Sequence, residues 1–210
     1  MAREVDGPTL VLGSTQPVEV VARAAVAARG VDVVRRRGGG GSVYLEPGSQ
    51  LWFDAWIPRD DPLWTVDVTV ASTWAGEWWM AALGALGLDG FETHRGRAAP
   101  GELGELVCFA GRGPGEVFHQ GRKVTGLSQW RSREGALFST CAYWRWDPAP
   151  LIDLLGVEGP VRAGMRRDLP ASVVGVGDLR GGDGSGLDRL RDELATSFPT
   201  WSATPAPPPV

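Results

Sequence analysis

The stretch VVRRRGGGGSVYLEPG, residues 33–48, sets three arginines and four glycines between two strand-like segments. The β-branched run at 31–37 predicts a strand, and extended structure is expected to resume after the glycines. A glycine run suits backbone that passes close to another group because glycine has no Cβ, although a flexible hairpin tip would use the same residues. Alternation along a strand predicts that Arg36 faces away from Arg35 and Arg37.

A second stretch, GRKVTGLSQWRSREG at 121–135, contains the single lysine of the chain. The other twenty of its 21 basic residues are arginines. Lysine carries a compact, mobile ammonium and arginine a wide planar fork, so a tight site that needs a point donor does not accept the exchange. Lys123 is therefore a candidate catalytic residue. The alternatives are drift of a GC-rich coding sequence towards arginine and a solvated cation in a turn.

Composition narrows the classes of function. The chain has 210 residues, 43% of them hydrophobic, and a net charge of −4, which argues against nucleic acid as a partner. No apolar run approaches ~20 residues, so no membrane span is expected, and the N-terminus lacks the pattern of a secretory signal. Two cysteines, Cys108 and Cys141, are too few for a disulfide framework or a metal cage. A cytoplasmic protein without a metal site is expected.

The pattern along the chain predicts an α+β fold with a central mixed or antiparallel sheet flanked by helices. Strands are predicted at 9–15, 31–37, 50–58, 106–110, 115–119, 123–130 and 135–144. Helices are predicted at 18–30, at 65–88, shortly after Asp147, and at 184–198. Residues 1–198 are expected to form one catalytic domain, and the proline-rich residues 199–210 a disordered tail.

Three segments together resemble one family. The arginine–glycine stretch at 33–48 resembles a signature of the lipoate-protein ligase and biotin-protein ligase catalytic domains, in particular of the lipoate ligase A type. GRKVTGLSQWR at 121–131 resembles the lysine motif of that family, and PTLVLGSTQP at 8–17 resembles the strand before its arginines. The order and spacing of the motifs agree, and the resemblance covers residues 8–155.

The resemblance implies an enzyme that activates a carboxylic acid with ATP. Lipoate or octanoate would become an acyl-adenylate, and the acyl group would pass to one lysine of a lipoyl carrier domain, of the 2-oxoacid dehydrogenase E2 or glycine cleavage H protein type. Mg²⁺ would accompany ATP, held through the phosphates rather than in a protein cage. Such a protein has to position two anions and stabilise the charge that develops.

The resemblance also assigns roles to residues. Lys123 would reach both the acyl carbonyl oxygen and the α-phosphate. Glycine amides would approach the phosphate or the acyl chain, Arg36 would steady the phosphate or the loop, and Thr125 and Gly126 would shape the pocket floor. The substrate- and nucleotide-binding residues implied are Arg36, Gly38, Gly39, Gly40, Gly41, Ser42, Thr125 and Gly126.

The chain departs from the family pattern in places that leave two other functions open. Leu45 stands where these ligases carry a histidine, and 108–117 replaces a usual Arg-Asn-Asp segment. That segment also resembles cysteine-dependent octanoyltransferases, in which a thiol before the lysine hairpin carries the acyl group without ATP. Cys108 lies fifteen residues before Lys123. It is either the nucleophile of such a transfer or a buried apolar residue. A non-catalytic homologue that binds acyl groups or nucleotides is the third possibility.

Overall fold

The structure is a computed structural model that describes residues 1–181 and 186–202. Its strands are β1 (Ala2–Arg3), β2 (Thr9–Leu12), β3 (Asp32–Arg35), β4 (Val43–Leu45), β5 (Gln50–Pro58), β6 (Phe91–Thr93), β7 (Val117–His119), β8 (Arg122–Arg131) and β9 (Gly135–Tyr143). Its helices are α1 (Arg23–Ala28), α2 (Val68–Ala85), α3 (Ala149–Leu154), α4 (Gly159–Ser172), α5 (Val176–Leu179) and α6 (Gly186–Ser202). Short 3₁₀ helices cover Val18–Val20 and Cys108–Ala110.

Two sheets form the framework. Six strands pair antiparallel in the order β1-β5-β9-β8-β7-β6. A smaller sheet has the order β3-β2-β4, in which β2 and β3 run parallel and α1 makes the crossover that a parallel pair requires. The predicted α+β class, with a mixed or antiparallel sheet and flanking helices, is confirmed.

Each face of the large sheet buries its own apolar cluster. On one face, alternate residues of β5 such as Phe53 and Ile57 pack under α2, against Trp74, Trp78 and Trp79. The opposite face packs against the small sheet, α3 and α4. The cluster under α2 accounts for three of the ten tryptophans of the chain, because these three rings are buried.

Two helix boundaries in the first half of the chain differ from the sequence prediction. Helix α2 starts at Val68 rather than at 65 because the Asp67 carboxylate accepts hydrogen bonds from the amides of Thr69 (2.8 Å) and Val70 (3.1 Å). The helix predicted over 18–30 is interrupted after the 3₁₀ turn and resumes only as α1.

The strand predicted at 106–110 is wrong. Ser42 and Val107 form an isolated parallel bridge, after which the chain coils into the 3₁₀ helix Cys108–Ala110. An apolar run of this length does not distinguish a strand from a buried turn.

Near the C-terminus the structure adds two helices and extends a third. The sequence pattern indicates neither α4, which contains Gly164 and Pro170, nor the short α5. The predicted last helix corresponds to α6, which continues to Ser202. Residues 203–210 of the expected tail, and 182–185, lie outside the described residues. Within the described part of the chain, none of the helices is both long and apolar enough to cross a bilayer.

Candidate active site

A β-bulge determines where Lys123 points. Val117 pairs with Thr125 and Phe118 with Lys123, so β8 has one extra residue, Val124, opposite β7. Val124 packs into the cluster under α2, whereas the Lys123 side chain reaches the opposite face of the sheet, beside Phe109. Simple alternation would place Lys123 on the same face as Thr125. The bulge therefore redirects the lysine, as bulges often do near functional sites.

The Lys123 ammonium is buried and held at two points. The side chain is 1% exposed. Its Nζ donates to the carbonyl oxygen of Cys108 (2.8 Å) and lies 2.7 Å from Oε2 of Glu116. It also lies 5.6 Å from the centroid of the Phe109 ring, within the range of a cation–π contact. An ammonium has three donors, so one remains for a ligand.

Glu116, which the sequence analysis does not single out, is the counter-charge of the lysine. It is 2% exposed and accepts backbone hydrogen bonds from Gly113 (2.6 Å) and Leu127 (3.2 Å). Burial raises the pKa of the Glu116 carboxyl above its ordinary value, and Lys123 and the two amides oppose that rise. An acidic residue seven positions before the only lysine, across a tight hairpin, is the sequence signal that could have found it.

The four glycines differ in their surroundings. A Cβ on Gly41 would lie 2.5 Å from the Val107 nitrogen and 2.7 Å from the Cys108 nitrogen, so the loop lies directly against the 106–108 backbone. A Cβ on Gly38 would lie 2.6 Å from Oγ of Ser128. Gly40 has φ of +92°, and Gly39 has open space around it. Glycine is therefore required at 38, 40 and 41 for packing or conformation, and at 39 for neither.

The three arginines have different partners, and alternation does not extend to Arg36 and Arg37 because β3 ends at Arg35. Nη1 of Arg35 donates to the carbonyls of Gly13 (2.7 Å) and Gln16 (2.6 Å), so Arg35 fixes the turn after β2. Nη2 of Arg36 donates to the carbonyls of Gly39 (2.6 Å) and Gly41 (2.9 Å), while its buried Nη1 has no partner among the described residues. Arg36 thus shapes the glycine loop and keeps one donor free.

A cleft of about 300 Å³ brings Lys123 and Glu116 together with two of the four glycines. The cleft opens where β7 stops pairing with β8, beyond Thr125. There the amide of Leu127 in β8 donates to the Glu116 carboxylate instead of to a neighbouring strand. The residues that line the cleft include Gly39, Gly40, Cys108, Glu116, Lys123 and Ser128. The buried ammonium and the glycine loop, which lie about 80 residues apart in the sequence, therefore share one cavity.

Comparison with protein families identifies this architecture. Residues 4–198 match the model of the lipoyl protein ligase A/B catalytic domain. The chain belongs to this family. The resemblance derived from the arginine–glycine and lysine motifs is confirmed. No curated protein matches the sequence well enough to count as a relative.

Solved structures share the fold of this lipoyl ligase A/B domain. A lipoate-protein ligase A bound with ATP has a TM-score of 0.67 and 23% identity over 93% of this chain and 69% of its own. The bipartite lipoate protein ligase of Thermoplasma acidophilum, described with its E2 lipoyl domain, has a TM-score of 0.70 and 23% identity over 93% and 68%. P. falciparum LipL1 in complex with lipoate has 0.66 and 12%, over 97% and 49%. At these identities the similarity shows the fold.

Not every residue that the resemblance implied lines the cleft of this lipoyl ligase A/B domain. Ser42 is fully buried, and its Oγ donates to Oε1 of Gln16 (3.0 Å), which also accepts from the Gly13 amide (2.9 Å). Nε2 of Gln16 donates in turn to the carbonyl of Glu105 (2.9 Å). Ser42 and Gln16 therefore connect the glycine loop to its neighbours, a role that no motif indicated.

Thr125 and Gly126 follow Lys123 in β8 but are not among the residues that line the cleft. Thr125 is 1% exposed and lies opposite Ala142, whose side chain packs in the cluster under α2. Gly126 lies opposite Cys141, and a Cβ on it would lie 3.1 Å from the Phe109 ring. Gly126 thus lets Phe109 pack onto the sheet, next to the lysine.

The two cysteines of this lipoyl ligase A/B domain have different surroundings. Cys108 is partly exposed and lines the cleft, whereas Cys141 is buried in β9. Burial raises the pKa of the Cys141 thiol well above its ordinary range. The sequence analysis left Cys108 open as nucleophile or core residue; the structure places it at the cleft surface.

Iodoacetamide is therefore expected to alkylate Cys108 and to leave Cys141 unmodified in the folded protein, because only an accessible thiol that can form a thiolate reacts. Peptide mass spectrometry after a timed reaction at neutral pH measures both sites, and the same reaction in denaturant supplies the control in which both are modified. Equal labelling of the two cysteines in the folded protein would contradict this assignment.

Proposed function

We propose that this chain activates lipoate or a medium-chain fatty acid with ATP and transfers the acyl group to a lysine of a lipoyl carrier domain. The observation that carries the proposal is the buried Lys123 ammonium, with one donor to spare, in the same cleft as Gly39 and Gly40. A fixed positive charge in a site sheltered from water stabilises developing negative charge far better than an exposed one.

Two steps follow from this chemistry. In the first, a carboxylate oxygen of the acid attacks the α-phosphorus, and pyrophosphate leaves. In the second, the neutral amine of the carrier lysine attacks the acyl carbonyl carbon, its proton is lost, and AMP leaves. Both steps build negative charge on oxygens of the acyl or phosphoryl group. Lys123 is positioned to neutralise that charge in either step.

The donors in the cleft fit an anionic, phosphate-bearing substrate. The third donor of Lys123 lies in the cleft and suits a phosphate oxygen. Arg36 would act through the glycine loop, because its Nη2 holds the Gly39 and Gly41 carbonyls and its buried Nη1 lies outside the cleft lining. Both oxygens of Glu116 already accept hydrogen bonds, Oε2 from Lys123 and Gly113 and Oε1 from Leu127. Mg²⁺ would therefore be held through the phosphates, since the described residues show no cluster of three metal-binding side chains.

The relatives support the choice of substrates and partner. One solved relative is described with ATP, another with lipoate and a third with its E2 lipoyl domain. An acceptor domain of the E2 type, or of the H protein type, is the partner we propose. A cytoplasmic location agrees with two free cysteines, because free thiols persist in a reducing compartment.

The proposal is tested by the first step alone. The wild-type chain with ATP, Mg²⁺ and lipoate or octanoate is expected to exchange labelled pyrophosphate into ATP, whereas the same mixture without the acid is expected to show no exchange. An unmodified lipoyl domain then gains the mass of one acyl group, detected by mass spectrometry. Absence of exchange with every saturated acid from C6 to C10 and with lipoate would overturn the ATP-dependent function.

The cysteine-dependent transfer remains the second candidate because the partly exposed Cys108 lines the cleft and its carbonyl binds Lys123. In that reaction, the Cys108 thiolate takes the acyl group from an octanoyl carrier as a thioester and releases the carrier thiol. An octanoyl adduct on Cys108, absent in Cys108→Ser, supports it. Ligand binding with neither exchange nor adduct, and unchanged in Lys123→Arg, supports the non-catalytic alternative instead.

A further inference from the structure

One face of the large sheet is only half covered. On the face that carries the cleft, three rows of side chains cross β5, β9 and β8, as the strand register defines. The inner row is Trp52, Cys141 and Gly126; the middle row is Asp54, Ser139 and Ser128; the outer row is Trp56, Leu137 and Trp130. Phe109 and the small sheet cover the inner row. The outer row has no layer above it in the described structure.

The outer row is an aromatic surface with a cation beside it. Trp56 is 43% exposed, and its ring centroid lies 6.5 Å from that of Trp130. Leu137 lies opposite both tryptophans in the register. The Arg37 guanidinium lies 4.7 Å from the centre of the Trp130 ring and forms no ion pair with a described carboxylate. Tryptophan and arginine are the residues most enriched at the energetic centres of protein interfaces.

We propose that the outer row, together with Arg37, is the docking surface for the acyl carrier domain, an inference that rests on the proposed function. The surface is continuous with the cleft through Ser128, which belongs to the middle row and also lines the cleft. Arg37 leads directly into Gly38, which packs on Ser128. A partner seated there is next to the site where the acyl group would be activated.

The distances suit delivery of a lysine. Successive rows on one face of a sheet lie about 7 Å apart, because each residue advances the strand by about 3.4 Å. An extended lysine side chain spans roughly 6 Å from Cα to Nζ. A carrier domain that rests on Trp56 and Trp130 can therefore extend its acceptor lysine from the outer row to Ser128, which lies in the middle row at the edge of the cleft.

Charge favours an acidic carrier over a second copy of this chain. Arg37 provides a positive group without a carboxylate partner, which matches an acidic surface around the acceptor lysine. In a two-fold dimer the same patch meets itself, so two Arg37 side chains would be brought to one interface, and like charges there are unfavourable. We therefore expect the carrier domain to present carboxylates that bind Arg37 and an apolar side chain that packs on the two tryptophans.

The test compares carrier binding with the first chemical step. Trp56→Ser/Trp130→Ser is expected to weaken binding of an unmodified E2 lipoyl domain at least about tenfold in calorimetric titration, and to leave pyrophosphate exchange unchanged. Val161→Ser on α4, where Val161 is 44% exposed, is the matched control and is expected to bind as the wild type does. Arg37→Glu, a single change on the exposed rim, is expected to weaken binding and to reduce its salt dependence.

The outcomes separate this inference from the proposed function. Loss of carrier binding in the tryptophan and Arg37 variants supports the docking surface even if the wild type shows no exchange, in which case the proposed ligase chemistry fails alone. Unchanged affinity in both variants overturns the docking surface, even where exchange and transfer are active. Concentration-dependent dimerisation of the wild type in sedimentation, abolished by the tryptophan variant, would also overturn it, because the patch would then be a contact between two copies.

Discussion

Lys123→Met is expected to lower the rate of acyl transfer to a lipoyl domain by about 100- to 1000-fold, the usual loss when one fixed donor to developing charge is removed. Methionine has a similar length but no charge and no donor. Acyl transfer is measured by mass spectrometry and the first step by pyrophosphate exchange. Because the site is buried, the wider fork of Lys123→Arg does not fit either, and this variant is expected to be similarly impaired.

The same substitution changes stability, and a second variant separates the two effects. Lys123→Met leaves the Glu116 carboxyl buried without its counter-charge, a loss of about 3–5 kcal/mol in the free energy of unfolding for pairs of this kind. Lys123→Met/Glu116→Gln removes the charge and keeps one oxygen that accepts from one of the two backbone amides, so it is expected to recover part of that stability. Urea denaturation measures both variants.

Activity in the double variant decides the role of the lysine. If Lys123 acts on the substrate, the stabilised double variant remains as slow as the single one. Recovery of the wild-type rate together with stability would show that the ammonium only supports the fold, and the ligase mechanism proposed for this cleft would have to be abandoned.

Gly41→Ala is expected to destabilise the protein by about 3 kcal/mol, at the upper end of the usual cost of overpacking, because its Cβ would meet backbone atoms that cannot rotate away. The nearest are the nitrogens of Val107 (2.5 Å) and Cys108 (2.7 Å). Displacing that segment also moves the Cys108 carbonyl that holds Lys123, so activity is expected to fall with stability. The urea midpoint and the exchange rate measure the two losses.

Gly39→Ala is the matched control within the same glycine run. A Cβ at this position meets no atom within 4 Å, and its backbone does not require a positive φ. Stability is expected to change by less than about 1 kcal/mol, with a gain as plausible as a loss because alanine restricts the unfolded chain. Equal effects of the two substitutions would mean that the glycines serve flexibility, not close packing.

The sequence was sufficient to predict the family, the fold class and the placement of Lys123 near the glycine run. Those predictions depend on motifs of fixed order. The sequence was not sufficient for the direction of the lysine. Alternation along β8 places Lys123 with Thr125, and only the extra residue Val124 opposite β7 reverses it. A bulge leaves no compositional signal in a strand of this kind.

Residues that act through long-range contacts were also missed. Glu116 is recognisable as a counter-charge only once its burial beside Lys123 is known. The strand predicted around Cys108 failed because an apolar run gives no indication of where backbone pairing ends. Trp56 and Trp130 are 74 positions apart in the sequence, and only the register of three strands places them side by side.

The double restraint on the single lysine has a consequence for self-modification. An acyl-adenylate reacts with any free amine, and an enzyme that makes one beside its own lysine risks capturing the acyl group permanently. Nucleophilic attack needs a nitrogen lone pair, which an ammonium bound to the Glu116 carboxylate and the Cys108 carbonyl does not offer. If the proposed acyl-adenylate forms here, the internal amine stays unreactive towards it, and the mixed anhydride persists until an external lysine arrives.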